Sequence, residues 1–573
     1  MPKIRFPYGI SNIEQLITQG YYFVDKTAFI EKLEERSEKF ISFLRPRRIG
    51  KSLFVSILEY YYGKEYQAKF NQIFGKLYIG KNPTPLQGKY AVLTMDFSGI
   101  DTQTEESSYR GFLVKVRSYL HSFMIRYELF DEAIKNEILS QASPDGVMTM
   151  FFNFYLAHFQ ETPIYLIIDE YDHFTNEILL QDLSQFKKAV TQNGYVRKFY
   201  ETIKEATRKN VVDRVFITGV APITLDSLTS GFNIITHLTH HIQFHDMMGF
   251  TTEEVGTMLD LILEDKTRKE NIMQDLKEWY NGYKFRVEAK TTLYNSDMVL
   301  YFMLAWADEQ AYPKPMLDPN IAPDYGKVKR VFEIQNPKGN YEVLEKIIRE
   351  NEINNTLIFQ FSFDKPFDET AFVSLLYYLG YLTLKEDIGA GFATFKIPNY
   401  VIKELYWEYF AYLITEQKQL PFNTTKLIEA MSPMALKGDI SLFMSIIQEV
   451  LQTLSNRDFR QFDEKYIKML IIAFALQSQI YYIRSEAENR VGYTDIEFIT
   501  PPQNPNVLHE YIFEVKYLRK EQASLLASKQ EEAKMQIKKY LATDDFLKKR
   551  QKLHAYTIVV VKDEMFIDKV END

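Results

Sequence analysis

Cysteine is absent from the 573 residues, which excludes a disulfide framework, a thiolate zinc site and a cysteine nucleophile, and fits a reducing compartment. Basic charge is not in excess either. Lys and Arg number 68 against 77 Asp and Glu, a formal net charge of −9. That argues against a protein coating nucleic acid without specificity, although a local basic groove can sit on an acidic body. Long apolar runs are missing as well. The most apolar windows, 469–476 and 556–561, are far too short to span a bilayer, and residues 1–10 hold no apolar core of signal-peptide length. The expectation is a soluble, cytoplasmic protein with no membrane partner. Internal repeats and low-complexity tracts are absent too, so the length points to several ordinary globular domains.

What is present reads first as α/β. Apolar runs at 40–44, 91–96, 164–169 and 214–219 alternate with helical stretches over roughly 104–128, 131–160 and 180–209. Buried strands alternating with helices predict a parallel sheet covered on both faces, here within a domain spanning 1–250. The pattern turns helical after Thr251, and a stretch near 310–340 rich in Pro, Asn and Asp reads as an irregular connection. Residues 368–415 read as helix, glycine-turned hairpin and helix, a winged-helix-like pattern, within a middle region of 251–455. The last section, 456–573, predicts a helix over 463–478, strands over 480–484, 494–500 and 511–517, a helix over 521–541 and a last strand over 556–561. That is an α+β unit unlike the first.

Between the first strand and the first helix stands Arg45-Pro-Arg-Arg-Ile-Gly-Lys-Ser52. A phosphate loop needs backbone N–H groups at a helix N-terminus, a lysine for the terminal phosphates and a hydroxyl for Mg²⁺. Arg47, Arg48, Ile49, Gly50, Lys51 and Ser52 are the candidate nucleotide contacts, with Arg45 where the usual pattern has its first glycine. The strand over 164–169 runs out into Asp169-Glu170. In this context Asp169 would join Ser52 in holding Mg²⁺, and Glu170 would polarise the attacking water. Thr218, at the end of the strand over 214–219, either stands near the terminal phosphate or faces solvent. ATP and Mg²⁺ are the expected cofactors.

Together with this loop, Phe6-Pro-Tyr-Gly-Ile10, Tyr21-Tyr-Phe-Val-Asp-Lys-Thr27, Ile168-Asp-Glu-Tyr-Asp172, Phe216-Ile-Thr-Gly-Val220, Ser230-Gly-Phe-Asn233 and Trp279-Tyr-Asn-Gly-Tyr283 make the chain resemble the bacterial AAA-ATPase-like family. Its members commonly carry a C-terminal nuclease domain of the PD-(D/E)XK type. The resemblance implies an AAA-like P-loop domain and makes the arginine at position 45 a family trait. ATPases of this class act as rings or dimers, which leaves a homo-oligomer open.

In the tail, Asp495 and Glu514-Val-Lys516 carry the second candidate site. Phosphodiester hydrolysis needs a metal held by hard oxygen ligands. Adjacent strands would bring Asp495 and Glu514 to one ion, Mg²⁺ or Mn²⁺. Lys516, two residues on and on the same face, would orient the water or stabilise the transition state. The order of elements resembles the PD-(D/E)XK core. That resemblance implies a further carboxylate from Glu486 or Glu488, with Glu464 as a third candidate, and a helical pair Gln536 and Tyr540 reaching the site as in RecB-like nucleases. Relatives often show Gly-Arg before the aspartate, whereas Tyr493 follows Gly492 here. His237, His240 and His241 read as local structure rather than as a metal site.

Two functions compete. One is an ATP-coupled, metal-dependent nuclease acting on nucleic acid, DNA ahead of RNA, in defence or mobile-element biology. The other is a nucleotide-controlled switch whose tail binds nucleic acid or a protein partner without cutting.

Overall fold

The computed structural model describes residues 4–159, 161–191, 193–320, 328–334, 336–361, 367–389, 391–418, 424–453, 463–489, 492–504, 506–543 and 552–571. The chain divides into two compact units, one of Met1–Pro313, Arg330–Val343 and Glu352–Tyr400, the other of Lys314–Lys329, Leu344–Asn351 and Val401–Asp573.

In the first unit five parallel strands, β1 (Phe40–Leu44), β2 (Ala91–Asp96), β3 (Ile164–Asp169), β4 (Val212–Gly219) and β5 (Thr236–His237), lie in the order β2-β3-β4-β1-β5. β3 is buried at every position, as a central strand covered on both faces must be. The order sets β4 between the strand that leads into the phosphate loop and the strand that ends in Asp169. Phe43 is level with Thr218, and Ile168 with Ile217. The C-terminal ends of β1, β3 and β4 therefore meet at one edge, where parallel sheets hold their ligands.

Two helical stretches expected as continuous are broken. The first stops at Leu139 and restarts at Pro144 behind the Ser143 cap. The second, over 180–209, becomes Leu183–Val190 and Tyr195–Arg208 around Gly194, and the capping carboxylate of Asp182 parts it from a further helix, His173–Gln181. Such caps offer the backbone an alternative partner, which periodicity alone does not register. The region near 310–340 is also more regular than expected, with helices Val328–Phe332 and Pro337–Glu350.

The helix, hairpin and helix are present as Glu369–Leu379, the strands β7 (Thr383–Gly389) and β8 (Phe392–Lys396), and Tyr400–Lys418. A strand that the sequence reading omitted, β6 (Glu352–Thr356), extends them into a sheet ordered β6-β8-β7. The Trp279–Tyr283 motif is part of this junction. Trp279 packs its ring 4.6 Å from that of Tyr400, and the Lys284 N–H donates to Thr383 Oγ1 at 2.7 Å.

The second unit holds a mixed sheet of β9 (Tyr482–Asn489), β10 (Gly492–Ile499), β11 (Glu510–Leu518), β12 (Leu553–Val561) and β13 (Glu564–Val570), ordered β13-β12-β11-β10-β9. β9, β10 and β11 form an antiparallel meander, and β12 pairs with β11 in parallel. β13 lies beyond the strand expected to be last; its partly exposed residues carry a weaker pattern than β12. Helices Thr424–Lys437 and Ser441–Thr453 belong to this unit: Tyr511 donates its hydroxyl to Met434 O at 2.7 Å, and the Met565 N–H donates to Gln448 Oε1 at 2.8 Å.

Candidate active sites

β1 ends at Leu44, and the chain turns through residues 45–50 into helix α1 (Lys51–Tyr62). Arg48 and Gly50 take φ of +64° and +99°, left-handed positions that a loop presenting successive N–H groups requires. Such a cradle works only when its carbonyls are turned away, and they are held from outside. Asn295 Nδ2 donates to Arg47 O at 3.2 Å, the Asp297 N–H to Arg48 O at 3.2 Å, and the Gly249 N–H to Ile49 O at 3.0 Å. Ser296 Oγ also donates to Ile49 O, at 3.3 Å. Asn295 caps helix α2 (Ser296–Glu309), so a segment some 250 positions away fixes the loop. The side chain of Ile49 is buried, and Arg48 Nη1 lies 3.4 Å from Asp297 Oδ2; both residues are placed to offer their backbone.

Arg45 has a structural position. Its side chain is 1% exposed. The guanidinium donates to the carbonyls of Leu44, Thr239, Phe244 and His245 at 2.8–3.3 Å and lies between the rings of Phe43 and Phe285, 4.1 and 3.9 Å from their centroids. Burial pulls its pKa down to about 9. The residue in the place of the missing glycine thus ties β1 to the segment after β5.

Lys51 is buried, with Nζ 3.1 Å from Pro46 O and 3.6 Å from Glu170 Oε1. Burial pushes the Asp169 carboxyl up to about 6, opposed by a hydrogen bond from Ser52. Glu170 behaves oppositely: burial raises its pKa, but the charges of Lys51, His173 and Arg47 outweigh burial and hold it below the usual range. Glu170 also sits at φ +48°, a strained setting for a non-glycine residue, secured by its N–H donating to Asp169 Oδ1 at 2.9 Å. Thr218 does not face solvent. It is wholly buried, and its Oγ1 has no hydrogen-bond partner, an orphaned hydroxyl at the edge where a phosphate group would lie.

Asp172 closes the motif Ile168-Asp-Glu-Tyr-Asp172. Its buried carboxylate accepts the N–H groups of Val220 and Ala221, at 3.0 and 2.7 Å, and Asn176 Nδ2 at 2.6 Å. Tyr171 donates its hydroxyl to Ala221 O. A Cβ on Gly219 would stand 2.2 Å from Asp172 Oδ1, so only glycine lets β4 end this close. The ends of β3 and β4 are locked together behind Asp169 and Glu170.

In the second unit the rung Ile496↔Phe513 sets Asp495 beside Glu514 on neighbouring strands; Asp495 lies inside β10, not at its start. Asp495 Oδ2 accepts the Val515 N–H at 2.8 Å. Its Oδ1 accepts Lys468 Nζ at 2.5 Å. Glu514 is completely buried; its Oε1 accepts Lys516 Nζ at 2.8 Å, and its Oε2 has no partner. Burial, then the charge of Asp495, pushes the Glu514 carboxyl up to about 7. Burial opposes the Lys516 charge, but Glu514, Glu464 and Asp495 together raise its pKa above the usual value.

Helix α3 (Glu464–Leu476) supplies Glu464, whose carboxylate lies 3.7 Å from Lys516 Nζ and 3.5 Å from Lys468 Nζ. The third-ranked carboxylate of the sequence reading is thus beside the pair. Lys468 was not anticipated; its only signal is a single cation inside the apolar run of α3. The side chains of Glu486, Glu488 and Tyr493 lie outside the described residues. Helix α4 (Leu526–Thr543) packs on β11 and β12, and there Gln536 Nε2 donates to the Tyr540 hydroxyl at 2.6 Å. Burial raises the Tyr540 pKa, the hydrogen bond from Gln536 opposes it, and the charges of Glu514 and Asp495 add to the rise.

Among the described residues no three His, Cys, Asp or Glu side chains are grouped to hold a metal ion. The three neighbouring histidines separate: His237 pairs with Ser42, His240 with Phe285 O and Tyr378, and His241 with Arg36. A magnesium ion needs only one or two carboxylates and keeps its waters. The unpartnered Glu514 oxygen beside Asp495 fits that demand, as do Ser52 and Asp169 next to a buried lysine in the first unit.

Residues 7–229 match the family model of a predicted AAA-ATPase, and residues 462–570 match the model of the PD-(D/E)XK nuclease superfamily. No curated protein matches the chain. Among the described residues no helix is long and apolar enough to cross a membrane. The chain joins an AAA-ATPase-like domain to a domain of the PD-(D/E)XK nuclease superfamily.

Proposed function

We propose that the protein binds and hydrolyses ATP in its first unit and cuts phosphodiester bonds of nucleic acid, DNA ahead of RNA, in its second. The observation that carries the reading is the buried Asp495–Glu514 pair with one carboxylate oxygen left unpartnered. Lys468 and Lys516 already offset charge on the pair, and the open Glu514 oxygen is the position a divalent cation would take.

In the first unit the N–H groups of residues 47–52 and the ammonium of Lys51 bind the phosphates. Ser52 and Asp169 hold Mg²⁺. Glu170, kept ionised by Lys51, orients the attacking water, and Thr218 donates its free hydroxyl toward the terminal phosphate. In the second unit Asp495, Glu514 and the Val515 carbonyl hold Mg²⁺ or Mn²⁺. Such an ion lowers the pKa of bound water and offsets charge on the phosphate. Lys516, already carried by Glu514, orients the water, and Gln536 and Tyr540 line the same face. Glu486 or Glu488 supplies a further carboxylate.

The test is cleavage of supercoiled plasmid and of RNA with Mg²⁺ or Mn²⁺, with and without ATP. Nicking by the wild type and none by Glu514→Ala is expected, together with ATP turnover that Lys51→Ala abolishes. Equal behaviour of wild type and variant in either assay contradicts that half of the reading. Retained nucleic-acid binding without cutting would favour a nucleotide-controlled switch instead.

A further inference from the structure

Lys468 is a buried lysine that the nuclease chemistry does not call for. It sits on α3, and its Nζ occupies Asp495 Oδ1 at 2.5 Å while the other Asp495 oxygen is taken by the Val515 N–H. The arrangement at Glu514 differs: Lys516 holds one oxygen, and the second is free. A metal approaching the pair therefore finds an open oxygen on Glu514 and an occupied one on Asp495. Glu464 stands one helical turn before Lys468, with Oε1 3.5 Å from its Nζ. Residues four apart on a helix share a face, so the ammonium can pass from Asp495 to Glu464 without moving the backbone.

We infer that Lys468 is an exchangeable counter-ion for the metal site: it neutralises Asp495 when no metal is bound and transfers to Glu464 when a divalent cation takes Asp495 Oδ1. This rests on the proposed nuclease reading. Among the described residues Lys468 and Lys516 offset negative charge on Asp495, Glu514 and Glu464. Metal entry must displace an ion pair rather than fill a vacant acidic hole, which sets a threshold of cation concentration. Glu464 lowers that threshold by receiving the displaced ammonium. Lys468 is a positioning residue here, since it acts through the ligands rather than on the substrate.

The experiment is Mn²⁺ titration of the full-length protein by calorimetry and by the electron paramagnetic resonance of free Mn²⁺. Wild type, Lys468→Met, Glu464→Gln and Glu514→Gln are compared, with thermal unfolding as a check on folding. Lys468→Met is expected to tighten Mn²⁺ binding about ten-fold, and Glu464→Gln to weaken it several-fold, because the ammonium then has no second carboxylate. A folded Lys468→Met protein that binds Mn²⁺ no more tightly than wild type, while Glu514→Gln abolishes binding, overturns the counter-ion role and leaves the metal site standing. Absence of Mn²⁺ binding to both wild type and Lys468→Met overturns the counter-ion role and the nuclease reading with it. Lys468→Arg keeps the charge and should bind as wild type does; tightening in Lys468→Arg would assign the effect to packing and also overturn the proposal.

Discussion

The two sites use the same components, adjacent carboxylates facing a buried lysine, but support them differently. In the first unit the carboxylates are the last residue of a parallel strand and the one after it, and backbone hydrogen bonds do most of the holding. Arg45, Asp172, Asn295 and Ser296 each grip main-chain atoms. In the second unit Asp495 and Glu514 lie within strands, and the ammonium groups of Lys468 and Lys516 hold them, with Glu464 against both lysines. A site for a polyphosphate ligand needs a fixed set of N–H donors, which calls for a rigid loop. A site for a cation needs negative charge that the fold tolerates while the cation is absent, which calls for lysines nearby. In the first site Lys51 holds Glu170 below the usual carboxylate range while burial raises its neighbour Asp169 to about 6; in the second Glu514 is driven up to about 7 despite Lys516.

The contrast can be broken most forcibly at Glu514. Glu514→Gln keeps the shape but removes one charge, and should lower cleavage about 10³-fold while leaving ATP turnover at the wild-type rate. A comparable loss of ATP turnover would mean that the two sites do not operate separately. Arg45→Met is the corresponding blow to the first unit. It leaves four carbonyls without their shared donor and should reduce stability by about 3 kcal/mol, read as a lower denaturation midpoint. If instead it altered ATP affinity with no change in stability, Arg45 would belong to the nucleotide site rather than to its support.

Acidity acts on both sites. Glu514 has a folded-state pKa raised to about 7 and Asp169 one raised to about 6, so each binds a proton more readily folded than unfolded. Their contribution to stability is complete below the ordinary carboxylate range and is lost as pH rises through about 6 for Asp169 and about 7 for Glu514. Metal binding has the opposite sign, because the ligand must be deprotonated. Mn²⁺ affinity at the second site should fall about ten-fold per pH unit below 7 and level off above it, as measured by titration calorimetry. A flat profile between pH 5.5 and 8 would remove the buried-pair explanation.

The smallest expected effect is at Thr218. Thr218→Val preserves volume and removes a hydroxyl that bonds nothing in the fold, so stability should change by less than about 1 kcal/mol while ATP turnover drops about ten-fold. Unchanged turnover would make Thr218 a packing residue.

Local pattern marked the elements to which the proposal assigns chemistry. The loop into α1, the carboxylates at the end of β3, and the Glu514 and Lys516 pair each announce themselves within a few residues, because the chemistry demands neighbours in sequence. Their supports do not. Asn295 meets Arg47 across 248 positions, and Thr239 meets Arg45 across 194; no spacing rule joins such pairs. Lys468 was hidden for another reason. A lysine among apolar helix residues is ordinarily taken to extend its head to water, and only the fold shows that this one ends on Asp495. β6 and β13 escaped because edge strands with mixed polarity lack the alternation that marks a half-buried strand.

Anomalous diffraction at the manganese edge, from crystals of the full-length protein soaked in Mn²⁺, asks directly whether the buried pair is a metal site. A peak about 2.1–2.3 Å from both Asp495 Oδ1 and Glu514 Oε2, with Lys468 Nζ moved onto Glu464, is the predicted result. Lys468 still seated on Asp495 and no manganese at Glu514 would contradict it.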